Sequence, residues 1–194
     1  VGRYGMIVNS YDGINWNIEK DVEYLNFKKI LKTKTQYFAF TTDNYIWVSN
    51  DKINWEQKNR ITNLNINDIC YSEEKNLFVA VGNNGVIFIS SDNGETWLFE
   101  QINTTKNIKQ IIYKNKKFHC CGTEGLYLTS DNGINWVIET ISSSYDLNSL
   151  IVLENNNIGY LIYVANPYSF NEGDVITINS NSPHSFSNIP GSEI

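Results

Sequence analysis

Apolar residues fall along this chain in short runs rich in valine, isoleucine and aromatics, broken by glycine, asparagine and aspartate. Runs of this kind, bounded by turn-forming residues, predict β-strands. The clearest is LFVAVGNNGVIFIS, Leu77 to Ser90, in which two apolar runs flank a polar turn. It aligns with FHCCGTEGLYLT (Phe118 to Thr129) and with YFAFTTDNYIWVS (Tyr37 to Ser49). Two runs joined this closely predict a hairpin. The glycines of the GxxG turns, Gly82 to Gly85 and Gly122 to Gly125, are expected to supply the positive φ of a tight turn. The N-terminal VGRYGMIVNS fits the same register, with Gly2 and Gly5 as its turn glycines. A further strand precedes each hairpin: LNFKKIL, INDICYS, IKQIIYK and LNSLIVL.

Each hairpin is followed by a polar segment ending in tryptophan. The segments are SYDGINW (Ser10 to Trp16), SNDKINW (Ser49 to Trp55), SSDNGETW (Ser90 to Trp97) and TSDNGINW (Thr129 to Trp136), with tryptophans 39, 42 and 39 residues apart. A fifth, decayed copy is SNSPHSF, Ser180 to Phe186, where Phe186 stands 50 residues beyond Trp136. Four short strands in about 40 residues, repeated, match a β-propeller blade, whose radial repetition keeps sheet edges short.

The segments resemble the Asp-box, or bacterial neuraminidase repeat, of pattern S/T-x-D-x-G-x-x-W. Ser90, Asp92, Gly94 and Trp97 fit it, as do Thr129, Asp131, Gly133 and Trp136. The first two boxes are one residue shorter: Ser10, Asp12, Gly13 and Trp16, then Ser49, Asp51 and Trp55, with Lys52 in the glycine place. Their expected role is structural. The Asp carboxylate accepts free backbone N–H groups of the turn, the hydroxyl assists, the glycine takes positive φ, and the tryptophan packs between sheets. The fold expected is therefore an all-β propeller of about four and a half blades, part of a longer propeller completed by upstream sequence or another chain. The expected division is 1–20 as a half blade, 21–59, 60–101 and 102–140 as blades, and 141–194 as a degenerate blade carrying an insertion at 164–175.

Composition sharpens this. Alanine occurs only at Ala39, Ala80 and Ala165, while β-formers abound, so the chain leans away from helix. A formal net charge of −6 argues against a nucleic-acid partner, and no apolar run reaches the length of a membrane span. The three cysteines, Cys70, Cys120 and Cys121, read as buried thiols, with the adjacent pair on opposite faces of one strand. No metal-ligand spacing is present, and no cofactor is expected. Lysine in excess over arginine, with abundant asparagine and isoleucine, points to an AT-rich bacterial or phage genome.

The resemblance to sialidases implies three arginines clamping a carboxylate, a Tyr–Glu nucleophile pair, an Asp acid and an Arg-Ile-Pro motif. The chain has two arginines, Arg3 and Arg60, and no Arg-Ile-Pro. Lysine does not replace the bidentate guanidinium, so the scaffold is sialidase-like without the sialidase catalytic arginines. Any other glycosidase needs two carboxylates about 5–10 Å apart. Candidates for that alternative are Asp21, Glu23, Glu124, Asp146, Glu172 and Asp174. The preferred reading is a non-catalytic binding or structural module that takes a glycan or protein ligand, with no nucleic acid and no membrane insertion. The resemblance favours an extracellular, cell-surface or virion setting. The expected site lies opposite the boxes: the loops joining blades, the turns near Asn44, Asn83 and Glu124, and the insertion VANPYSFNEGDV. Its candidate ligand-binding residues are Tyr168, Phe170, Asn171, Glu172 and Asp174, with Tyr145 and Arg60, because aromatics stack on ligands and amides and carboxylates bond hydroxyls.

Overall fold

The computed structural model describes residues 5–20, 25–140, 145–152, 158–162, 175–177 and 187–188. Among them regular structure is β, save 3-10 geometry at Gly5 and a 3-10 turn at Asn83–Gly85. A two-stranded sheet comes first, β1 (Ile7–Asn9) against β2 (Asn17–Lys20). Four four-stranded antiparallel sheets follow. They are β3 (Phe27–Lys32), β4 (Tyr37–Thr41), β5 (Tyr45–Ser49) and β6 (Glu56–Arg60); then β7 (Ile66–Ser72), β8 (Leu77–Gly82), β9 (Val86–Ser90) and β10 (Leu98–Gln101). The third is β11 (Ile108–Lys114), β12 (Lys117–Gly122), β13 (Leu126–Ser130) and β14 (Val137–Thr140), and the fourth β15 (Leu147–Val152), β16 (Ile158–Ile162), β17 (Val175–Thr177) and β18 (Ser187–Asn188). Strands pair only with their sequence neighbours. The decayed fifth box falls outside the described residues.

Sheets stack on one another through apolar layers. One layer joins the first two four-stranded sheets through Phe38, Phe40, Ile46 and Val48 on one side and Ile69, Phe78, Ala80 and Phe88 on the other. The next joins Val79, Val81, Ile87 and Ile89 to Ile111, Phe118, Cys120 and Leu128. Alternate residues of β8 thus enter different layers, Ala80 one and Val79 the other. This is why β8 reads as an unbroken apolar run: a sheet covered on both faces has no solvent face to make polar. The first strands, β3, β7, β11 and β15, meet one another and so line the central axis. The last strands lie outermost; β10 is exposed along its whole length. The arrangement is that of propeller blades.

The sheet ends define two faces. On the upper face the first strands begin and the second strands turn into the third; on the lower face the third strands turn into the fourth. Glycine works on the upper face in two distinct ways. Gly85 and Gly125 take positive φ, 70° and 67°, as the turn requires. Gly82 is extended, at φ −153°. A Cβ on Gly82 would strike the Asn65 carbonyl oxygen, and one on Gly122 that of Asn107. The first glycine of each GxxG therefore admits a close backbone approach, where the interblade loop accepts the N–H of Asn83 (3.1 Å) or Thr123 (2.9 Å).

Candidate functional site

The upper end of each first strand carries one short pattern: apolar, polar, polar, apolar. It reads Phe27-Lys28-Lys29-Ile30, Ile66-Asn67-Asp68-Ile69, Ile108-Lys109-Gln110-Ile111 and Leu147-Asn148-Ser149-Leu150. In all four strands the pairing register shifts across this pattern, between Phe27 and Lys29, Ile66 and Asp68, Ile108 and Gln110, and Leu147 and Ser149. A bulge frees backbone groups from the ladder and re-aims side chains. The neighbouring sheet uses both consequences.

The first polar residue reaches forward to the next sheet as a donor. Lys28 donates to the Ile66 carbonyl. Asn67 Nδ2 donates to the Ile108 carbonyl at 2.8 Å and to Asn83 Oδ1 at 2.7 Å. Lys109 Nζ donates to Asp146 at 2.7 Å and to Asn148 Oδ1. The second polar residue accepts. Asp68 Oδ2 takes the Ile111 N–H at 3.0 Å, and Gln110 Oε1 takes that of Leu150 and the Ser149 hydroxyl. Lys29 holds the other Asp68 oxygen at 2.7 Å. The residue before the third and fourth patterns joins in: Asn107 Oδ1 accepts the Asn84 N–H, and Asp146 Oδ1 that of Glu124, both at 3.0 Å. The Lys109 ammonium holds the Asp146 carboxyl below the usual range. The paired polar residues of the first strands, Lys28, Lys29, Asn67, Asp68, Lys109, Gln110, Asn148 and Ser149, were not singled out from the sequence, whereas Asp146 and Glu124 were named as candidate carboxylates. The signal was available: two polar residues at the same place in four otherwise apolar strands.

The lower face is built from turns that bond to themselves. Ser10 Oγ donates to Asp12 and accepts the Gly13 N–H, while Asp12 Oδ1 accepts the N–H groups of Ile14 and Asn15. Ser49 and Asp51 repeat this, with Lys52 at φ 70° in the glycine place. Ser90 and Asp92 form the longer version around Gly94 and Thr96. These bonds favour the ionised carboxylates: Asp12 and Asp51 are pulled far down, chiefly by backbone N–H groups, and Asp92 to about 2, chiefly by Thr96. The fourth turn differs from the sequence reading by one residue. Ser130 Oγ accepts the Gly133 N–H, and Asn132 Oδ1 accepts those of Ile134 and Asn135. Thr129 instead pairs with Val137 in the sheet, and Asp131 is exposed in an ion pair with Lys117 at 3.2 Å. The shorter turn forms because Ser130, buried at the strand end, accepts the Gly133 N–H with its hydroxyl, while Thr129 is held in the sheet opposite Val137. Trp55, Trp97 and Trp136 donate their indole N–H to the carbonyls of Lys52, Gly94 and Gly133. Trp97 and Trp136 pack on Phe78 and Phe118, each in the layer shared with the preceding sheet. Trp16 is 61% exposed.

Two of the expected ligand residues are described. Arg60 donates from Nε to the Asp43 carbonyl at 2.7 Å and to Asn63 Oδ1, and its guanidinium lies over the Tyr45 ring. It fastens the chain's own upper loop. Tyr145 is half-buried, and its carbonyl accepts the Gly125 N–H at 2.7 Å. Tyr168, Phe170, Asn171, Glu172 and Asp174, like Asp21 and Glu23, lie outside the described residues. Of the other carboxylates, Glu124 stands 3.8 Å from Lys106, and Asp146 is held as above. Cys70, Cys120 and Cys121 are buried free thiols; Cys120 and Cys121 enter different apolar layers, and burial pushes Cys121 up to about 12. His119 Nε2 donates to the Lys114 carbonyl, leaving Nδ1 to accept the Tyr127 O–H at 2.7 Å, and burial lowers its pKa. Among the described residues no group of three or more His, Cys, Asp or Glu could hold a metal, and no helix is long and apolar enough to cross a membrane.

Axial first strands, stacked four-stranded sheets and turns segregated to two faces define a β-propeller. Solved structures agree. YCF48 from Cyanidioschyzon merolae superposes with a TM-score of 0.61 at 14% identity, over 84% of this chain and 62% of that one. YCF48 bound to D1 peptide gives 0.66 at 14% identity, over 91% and 58%. The WD40 β-propeller domain of Doa1 gives 0.58 at 13% identity, over 79% and 58%. The chain thus spans less than two thirds of the length of each. No family model matches the sequence, and no curated protein matches it.

Proposed function

We propose that this propeller is a non-catalytic binding module whose upper face receives a protein segment. The observation that carries this is the asymmetry of the two faces. Below, the turns consume their polar groups on their own backbone. Above, the rim of the axis gathers ammonium, amide and carboxylate groups from four sheets, beside turns that project Asn84 and Glu124 to solvent. One structurally similar propeller is YCF48 bound to D1 peptide, which supports a peptide as the ligand class. We also read the lower turns as Asp-box repeats, with Asn132 replacing the carboxylate in the fourth. Tyr168, Phe170, Asn171, Glu172 and Asp174 stay candidates for widening the upper site, toward protein first and glycan second.

Phage-displayed peptide selection tests this, with the selected peptides then assayed on variants of each face. Asn84→Trp or Glu124→Trp, above, should abolish binding; Asn54→Trp, below, should leave it unchanged. Peptides sensitive only to the lower variant, or no selectable peptide, would refute the reading.

A further inference from the structure

Three sheet boundaries use the pattern of paired polar residues, and the first departs from the others. In β7 and β11 the second polar residue is an acceptor, Asp68 or Gln110, and takes an N–H of the next sheet. In β3 that place is Lys29, which has no acceptor atom and donates to Asp68 instead. The residue beside it is Lys28, so two ammonium groups stand at one boundary facing one carboxylate. Lys29 takes that carboxylate, at 2.7 Å. Lys28 is left with three N–H donors and one bond, to the Ile66 carbonyl, and makes no ion pair among the described residues. Its side chain is exposed at the rim, where partial desolvation lowers its pKa and Asp68 opposes that shift. Two ammonium groups against one carboxylate leave this boundary with an excess positive charge and donors open to an incoming anion. The departure also costs the boundary an acceptor that the next two retain.

We propose that Lys28 anchors one carboxylate of an extended peptide at the upper rim, its spare N–H groups donating to the carboxylate oxygens. This rests on the reading of the upper face as a peptide-binding surface. The protein's net charge of −6 repels polyanions at long range, so the anchor selects a single carboxylate among neutral residues rather than an acidic tract.

Two libraries of random peptides with amidated ends test it, one with a central glutamate fixed and one with glutamine. Wild-type protein should retain the glutamate library about tenfold better. Lys28→Gln keeps a donor for Ile66 and should erase the preference while still binding the glutamine library; Lys28→Arg should restore it. A preference that survives Lys28→Gln overturns the anchor. Equal binding of both libraries by wild type also overturns it, while the peptide-binding reading stands. If neither library binds, both fall. Where Lys28→Gln fails to fold, NMR of 13C-methylated lysines in the native chain decides: glutamate peptides must raise the Lys28 pKa, and an unmoved titration overturns the anchor.

Discussion

The Asp68 carboxylate accepts the N–H of Ile111 at 3.0 Å across the boundary between two sheets. Its other oxygen holds Lys29 of a third sheet at 2.7 Å, so one buried side chain ties three blades at the axis. Asp68→Ala strands an amide and an ammonium in a poorly solvated place, and should destabilise the protein by about 2–3 kcal/mol in chemical unfolding. Asp68→Asn keeps an acceptor for Ile111 and should cost about half as much. Amide hydrogen exchange should quicken at Ile111 in the alanine variant. Unchanged exchange there would remove Asp68 from the clasp.

The turn tryptophans should divide by position. Trp97→Ala and Trp136→Ala open holes against Phe78 and Phe118, and should each cost about 2–4 kcal/mol. Trp16, exposed in the first turn, should tolerate alanine within about 0.5 kcal/mol. Thermal unfolding of the three variants side by side reads the contrast.

Acid stability should report which turns carry a carboxylate. The Asp92 carboxyl titrates near 2 in the folded chain, against an ordinary value of 3.8. A depressed carboxylate stabilises above its unfolded value, and that contribution is lost as pH falls from about 4 toward 2. Asp92→Asn should flatten that limb of the stability profile. Asn132→Asp should steepen it, because the acceptor place of the fourth turn holds an amide in the native sequence, and should raise stability at neutral pH. A flat response to Asn132→Asp would contradict the one-residue placement of that turn.

His119 should add a second acid limb at milder pH. Burial lowers its folded pKa below 6.5, so its neutral form stabilises above that value. As pH falls below about 6.5 the unfolded chain takes the proton first, and stability declines at no more than about 1.4 kcal/mol per pH unit. His119→Gln should remove the slope, as followed by urea unfolding at stepped pH.

Blade number and strand order were legible because a sheet covered on both faces must be apolar throughout, as β8 shows, and because tryptophan closes each turn. The fourth box was misplaced because Thr129 and Ser130 both offer a hydroxyl, and only the strand register decides which one faces the turn. The GxxG glycines looked alike in sequence, yet Gly85 serves φ and Gly82 serves a close carbonyl. The rim residues were hidden for a related reason. Their partners sit about one repeat away, Asp68 with Ile111 and Lys109 with Asn148, and only the curvature of the ring brings them together.

The most direct measurement is an NMR titration of isotopically labelled protein with a selected peptide. The account predicts that shifts concentrate on the amides of Asn84, Glu124, Lys109 and Gln110, around the upper rim. Shifts concentrated on the lower turns, at Ile14, Ile53, Thr96 and Ile134, or on the outer strand β10, would contradict it.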